Sequence, residues 1–258
     1  MKHITSNTVM SNNLITIDGY YINKLSQIFT SHDVCKSHGI EHAIAVYNHA
    51  QKAIIEEKSI SQLEKMAVLM ASLLHDADDR KFFPNNLNNE NTRDILKGKS
   101  DTFINLVTTM INLVSSVQNK DNIPLNVKNN LWMLIPRYSD RLEAIGEIGI
   151  IRCYQYNNTI QRPLFTEKTP FAKTKYEIDT IATQERYNNY VGNSESMIDH
   201  YYDKILRSHL FPINNNYLLN EATLRQEYII NFIIKFGNTQ MIDENEIIKL
   251  ALKYNIKI

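Results

Sequence analysis

The segment SQLEKMAVLMASLLHDADD, residues 61–79, constrains the fold more than any other stretch. Its middle is apolar on every side of a helical wheel, and such a helix cannot sit at a surface. It has to be buried among other elements. The rest of the chain supplies helices, not strands. ITIDGYYINKLSQIFTS places Ile22, Leu25 and Phe29 three and four apart, the spacing of one helical face. Ser37 is the expected cap of a helix from His38 to about Glu57, with Ile40, Ala43, Ile44, Tyr47 and Ala50 on adjoining faces. Asn85–Asn91, after Pro84, read as a loop. DTFINLVTTMINLVSSV is a further apolar-periodic helix. VKNNLWMLIPRYSDRLEAIGEIGIIRCYQY reads as helical on both sides of a break at Pro136. Residues 157 to about 193 are polar, contain Pro163 and Pro170, and read as a long loop or insertion. SESMIDHYYDKILR, NEATLRQEYIINFIIKF and DENEIIKLALKY complete the helices. No alternating pattern of useful length and no internal repeat is present. The expected fold class is all-α, with residues 1–18 a flexible segment and 19–258 a single helical domain.

Bulk properties exclude several functions. The 258 residues hold 28 basic and 28 acidic side chains, so the net charge is zero. Nothing global draws the chain to long nucleic acid. Cys35 and Cys153 are the only cysteines; they make no disulfide framework and fit a reducing, cytoplasmic compartment. No apolar run reaches the roughly 18–20 residues that span a bilayer. The start, MKHITSNTVMSNN, lacks the apolar core of a signal peptide. Partners that are membranes are therefore not expected.

Three segments put unusual polar residues against apolar helices. In HGIEHAIAVYNHA, His38 and His42 are four apart, about 40° apart on a helix surface, so both face one side. They either share a cavity or are two solvated histidines at a helix start. His75 and Asp76 end the buried helix, where a charged pair is costly unless neutralised. Either a metal ion takes imidazole and carboxylate together, or the helix end emerges into water with Asp78 and Asp79 solvating a loop. Asp140, in RYSDRLEAIGEIG, belongs to a site or to a surface cluster with Arg141 and Glu143.

In chain order these segments read His, His-Asp, Asp. The pattern resembles the HD-domain metal-dependent phosphohydrolase superfamily, and most specifically a subgroup of small bacterial HD hydrolases. The segments that carry the resemblance are SHGIEHAIAV, LLHDADDRKF, SDRLEAIGEIGIIR, QRPL and DHYYDKIL. It covers the chain from about Ser37 to at least Leu206 and implies a helical HD-type bundle with a metal site between helices. By the same resemblance His42, His75, Asp76 and Asp140 are metal ligands. Two histidines and two carboxylates suit Mn, Fe, Co, Ni or Zn, with Mg less natural. His38 sits where related cyclic-nucleotide phosphodiesterases keep a proton-donating histidine. Asp79 matches the glutamate by which alarmone hydrolases help activate water, although Arg80 stands where those enzymes have a second acid. Lys81, Arg141, Arg152 and Arg162 match basic positions and are expected to contact phosphate. His49 has no matching role and reads as structural or as packing behind the ligands. His200 lies in a helix where the subgroup also shows histidine, and either lines the same cavity or packs, with packing the preferred reading.

The chain departs from the subgroup at Ala45, Tyr138 and Glu143. None of these is an expected ligand, but each bears on substrate contacts and on hydrogen bonds behind the ligands. The resemblance implies a phosphohydrolase that cleaves a phosphoester or phosphoanhydride of a small compound, most naturally a nucleotide. A non-catalytic nucleotide-sensing module of the same fold is the alternative. The C-terminal helix is expected to pack on the body or on a second subunit in a homo-oligomer.

Overall fold

A computed structural model describes residues 17–115, 119 and 121–258. The chain forms α1 (Gly19–Ser31), α2 (Ile40–Ala53), α3 (Gln62–Leu74), α4 (Glu90–Ile95), α5 (Asp101–Val114), α6 (Ile135–Glu143), α7 (Gly146–Thr159), α8 (Lys175–Ile181), α9 (Gln184–Asn189), α10 (Met197–Asp203), α11 (Asn216–Thr239) and α12 (Glu244–Lys253). Short 3-10 turns occupy Lys36–His38, Leu131–Leu134 and Ile205–Arg207. No strand occurs among the described residues, and the fold is all-α. The flexible segment expected at residues 1–18 lies outside the described residues up to position 16.

α3 is the axis of the molecule. Ser61 and Glu64 close a reciprocal capping box at its start, satisfying two otherwise orphaned amides. Every residue from Ala67 to Leu74 is then buried, against α2, α5 and α6. Each large apolar side chain in that run contributes about 1.5–3 kcal/mol by leaving water. α11 packs across α7, α6 and α2. α12 lies on α7, with Ile247 and Ala251 buried beneath it; the C-terminal helix therefore packs on the body of its own chain.

The structure revises several expectations. Ser37 caps nothing: it is buried in the 3-10 turn Lys36–His38, and Gly39 precedes α2. α2 ends at Ala53 instead of continuing to Glu57. The loop after Pro84 closes at Asn89, and α4 begins at Glu90. Pro136 does not break a helix but sits in the first turn of α6, where its missing N–H costs nothing. The break falls at Ala144–Ile145. There Gly146 has φ of +76°, and a Cβ on Gly149 would lie 2.4 Å from the Ala144 carbonyl. The two glycines of AIGEIG let α7 start that close to the end of α6. Residues 157–193 are not a structureless loop. They hold the end of α7 and the two short helices α8 and α9.

Candidate metal centre and cavity

His42 projects from α2, His75 caps the C-terminus of α3, Asp76 follows it, and Asp140 projects from α6. The packing of these three helices brings the four side chains together. His42 Nε2 is 3.1 Å from His75 Nε2, 3.3 Å from Asp140 Oδ1 and 3.8 Å from Asp76 Oδ2. His75 Nε2 is 3.4 Å from Asp76 Oδ2 and 3.6 Å from Asp140 Oδ1. Donors bound to one transition metal at about 2.1 Å lie about 3.0–3.4 Å apart, and three of the five separations fall in that range, with His42–Asp76 and His75–Asp140 longer. Among the described residues, His42, His75 and Asp76 form a group able to hold an ion.

The donor chemistry fits a metal as well as the spacing does. His75 Nδ1 is 2.9 Å from the Ser72 carbonyl. A carbonyl only accepts, so Nδ1 carries a proton and Nε2 is the nitrogen that a metal would take. Asp76 Oδ2 is buried with no hydrogen-bond partner. His42 Nδ1 likewise has none among the described residues, so the polar contacts of that ring are those of Nε2. The cluster draws positive charge. Burial disfavours charge on His75, but the Asp76 carboxylate outweighs it and lifts the imidazole to about 9. Burial also opposes ionisation of Asp76 and Asp140. The His75 charge holds the first well below its ordinary range, and the hydrogen bond to His42 does the same for the second. His42 is pushed down by burial and by Arg152.

Beside the cluster opens a cavity of about 600 Å³, lined by six basic and four acidic side chains among others. Asp79, Lys81, Arg141, Arg152 and Arg162 all line it, as does His38. His38 Nε2 is 3.3 Å from Lys81 Nζ. An ammonium has no lone pair, so His38 accepts and Lys81 donates. His38 Nδ1 faces Ser37 Oγ at 3.0 Å and Cys35 Sγ at 3.3 Å. Burial, and then the Lys81 charge, press the His38 imidazole well below its usual value. At Lys81 burial is outweighed by Asp79, and the ammonium is held above its ordinary value. Asp79 is raised by burial and by Asp76.

The arginines are not alike. Arg152 gives its guanidinium to backbone. Nε and Nη2 reach the Ser37 carbonyl at 2.8 and 2.6 Å, and Nη1 reaches that of Glu143 at 2.8 Å. It clamps the turn that presents His38 to the end of α6. Arg141 pairs with Asp121 and lies over the Tyr138 ring at 5.5 Å. Arg162 lines the cavity with no side-chain partner among the described residues.

The departures from the subgroup also have physical readings. Glu143 accepts from His49 Nε2 at 2.9 Å and from Arg225 at 3.1 Å, while His49 Nδ1 meets the Tyr217 hydroxyl at 2.6 Å. This network ties α2, α6 and α11 behind the cavity, and His49 is structural. Tyr138 is buried against Phe211, ring centroids 4.6 Å apart. Asp78 is no solvated loop residue. It is buried and accepts from Asn86, the Asn91 amide, and both the amide and hydroxyl of Thr92, fixing the loop that carries Asp79 and Lys81. Sequence reading passed over Lys204 and assigned His200 to packing. Both line the cavity. Their spacing of four in DHYYDKIL was the available sign.

A protein of Acanthamoeba polyphaga mimivirus, the uncharacterized protein L803, is 37% identical over 246 residues, 88% of this chain and 99% of its own. The chain belongs to the family of that viral protein. No protein-family model matches. An HD-superfamily hydrolase from Bacillus thuringiensis superposes with a TM-score of 0.55 at 20% identity, over 85% of this chain and 94% of its own. The fold is the HD fold. Bacillus subtilis YpgQ, in complex with ADP, matches with a TM-score of 0.54 at 18% identity, over 83% of this chain and 97% of its own. Within this HD fold the His75-Asp76 doublet lines the cavity. No helix among the described residues is long and apolar enough to cross a membrane.

Proposed function

We propose that the chain is a metal-dependent phosphohydrolase acting on a small phosphorylated compound, best a nucleotide. The observation that carries this reading is the convergence of two imidazole nitrogens and two carboxylate oxygens, 3.1–3.8 Å apart, beside a cavity with an excess of basic side chains. The ADP bound to YpgQ adds support for the nucleotide class. His42, His75, Asp76 and Asp140 would hold a divalent transition metal, whose Lewis acidity would act on water and on a phosphoryl oxygen.

The remaining roles belong to this chain's own side chains. As water attacks phosphorus and the bond to the leaving oxygen breaks, Asp79 takes the water's proton; burial, and then Asp76, raise its affinity for protons. Lys81 carries the proton destined for the leaving oxygen, and His38 aims it by accepting from Nζ. Arg162 meets the phosphoryl oxygens, and Arg141 lines the same wall through its pair with Asp121. Arg152 acts by holding His38 in place.

The test is a panel of nucleotides with Mn-loaded protein, scored for released phosphate and pyrophosphate, alongside an Asp76→Ala plus Asp140→Ala double variant. Turnover by wild type, lost in the variant together with bound metal, is the expected result. Nucleotide binding without turnover under any metal would instead establish the sensing module.

A further inference from the structure

Besides Arg162, the cavity holds another cation, Lys204, that has no ion pair among the described residues. Lys204 follows the last residue of α10 and lines the cavity. It has neither an ion pair nor a side-chain hydrogen bond among the described residues. Its surroundings are mainly basic. Lys81 and Asp79 face it from the loop after α3, Asp140 and Arg141 from α6. Cys153 on α7 and His200 on its own helix also feel its charge, and Arg162 acts on the same two residues. Asp79 is already engaged with Lys81, and Asp140 with the two ligand histidines. Folding thus places a lysine among other cations, and Asp140 and Asp79, both engaged elsewhere, offset only part of the electrostatic cost.

We propose that Lys204 binds a phosphoryl oxygen of the substrate directly and acquires its counter-ion only when substrate enters. The inference rests on the reading of this cavity as a phosphorylated-compound site, and it assigns Lys204 and not Arg152 as a substrate contact. A proton linkage follows. Burial, and then the Lys81 charge, hold the Lys204 amine down at about 8. An anion beside it favours the ammonium, so binding above neutral pH takes up a proton.

ADP is the probe, with Mn-loaded full-length protein, by calorimetry at pH 8.5 in buffers of different ionisation enthalpy. Wild type is expected to bind ADP with proton uptake. Lys204→Met should weaken ADP binding about tenfold or more, the worth of one charge-assisted hydrogen bond, and reduce the uptake while Mn affinity is unchanged. Lys204→Arg should keep most of the affinity yet show the reduced uptake, because arginine does not titrate in this range; this variant also guards against a simple folding defect. Equal ADP affinity and equal uptake in wild type and Lys204→Met would overturn the inference and leave the phosphohydrolase reading standing. Failure of Mn-loaded wild type to bind ADP would overturn the nucleotide reading and this inference with it.

Discussion

Replacing Arg152 separates two roles that a cavity arginine can have. If its guanidinium is a substrate contact, Arg152→Met raises KM and leaves the fold alone. The geometry favours anchoring, because three of its five donors, one from each nitrogen, end on the carbonyls of Ser37 and Glu143. A hydrogen bond to a charged donor is worth about 1.5–3 kcal/mol. Two of the three share one carbonyl and the site is only part-buried, so we take about 1–2 kcal/mol per carbonyl, or about 2–4 kcal/mol in all. For a chain of this size that lowers Tm by roughly 5–15 °C. Methionine fills much of the volume of the arginine stem, so the loss is mainly of hydrogen bonds, not of packing. The turn Lys36–His38 loses its anchor, and kcat should fall with His38 misplaced. Arg152→Lys offers a point charge that cannot fork to both carbonyls and should recover less than half of the stability. Urea unfolding and steady-state kinetics on the same preparations decide the matter. An unchanged midpoint with a raised KM would refute the anchoring role.

The other predictions concern metal, pH and the loop behind the site. Saturating Mn at about 100 times its dissociation constant should stabilise wild type by about 2.7 kcal/mol, read as a thermal shift, and the Asp76→Ala plus Asp140→Ala variant should show no shift and no bound metal. Glu143 is held down to about 2, burial being outweighed by His49 and the neighbouring arginines. A depressed folded-state value contributes stability that is fully present above the unfolded value near 4.5 and is lost as pH falls toward about 2. Acid titrations of unfolding should show that decline in wild type, with an amplitude of up to about 3 kcal/mol. In Glu143→Gln the decline should be visibly flatter, and parallel curves for the two proteins would count against the pairing. Asp78→Ala removes the acceptor for four hydrogen bonds and should cost about 2–4 kcal/mol. It should also raise amide exchange at Asn91 and Thr92 ahead of the rest of the chain; uniform exchange would show that the loop is held by something else.

Which parts of this molecule were legible in the sequence follows from how far each depends on residues distant in the chain. The buried helix was legible because an uninterrupted apolar run has only one place to go. The convergence of His42, His75, Asp76 and Asp140 was legible because their order and neighbours resemble a known pattern. Pro136 misled because its effect depends on position: the ring that disrupts a helix interior fits its first turn. The true break depends on a positive φ at Gly146 and on backbone approach at Gly149, neither of which spacing reveals. In the segment read as a loop, Thr174 and Glu177 form a capping box that the residue pattern already contained, but the polar composition outweighed it. The basic residues were the least legible. Arg152, Arg162 and Lys204 share a sign of charge and one cavity, yet motif places only the two arginines against an anion and passes over the lysine. What divides them is supplied by other parts of the fold. Arg152 finds the carbonyls of Ser37 and Glu143, 115 and 9 residues away. Lys204 finds cations and acids already committed elsewhere. A charged residue bound to its own protein is held in place, whereas one left without a partner is available to a ligand. That distinction lies in the packing, and it is the reason the proposed phosphate contacts shift from Arg152 to Lys204.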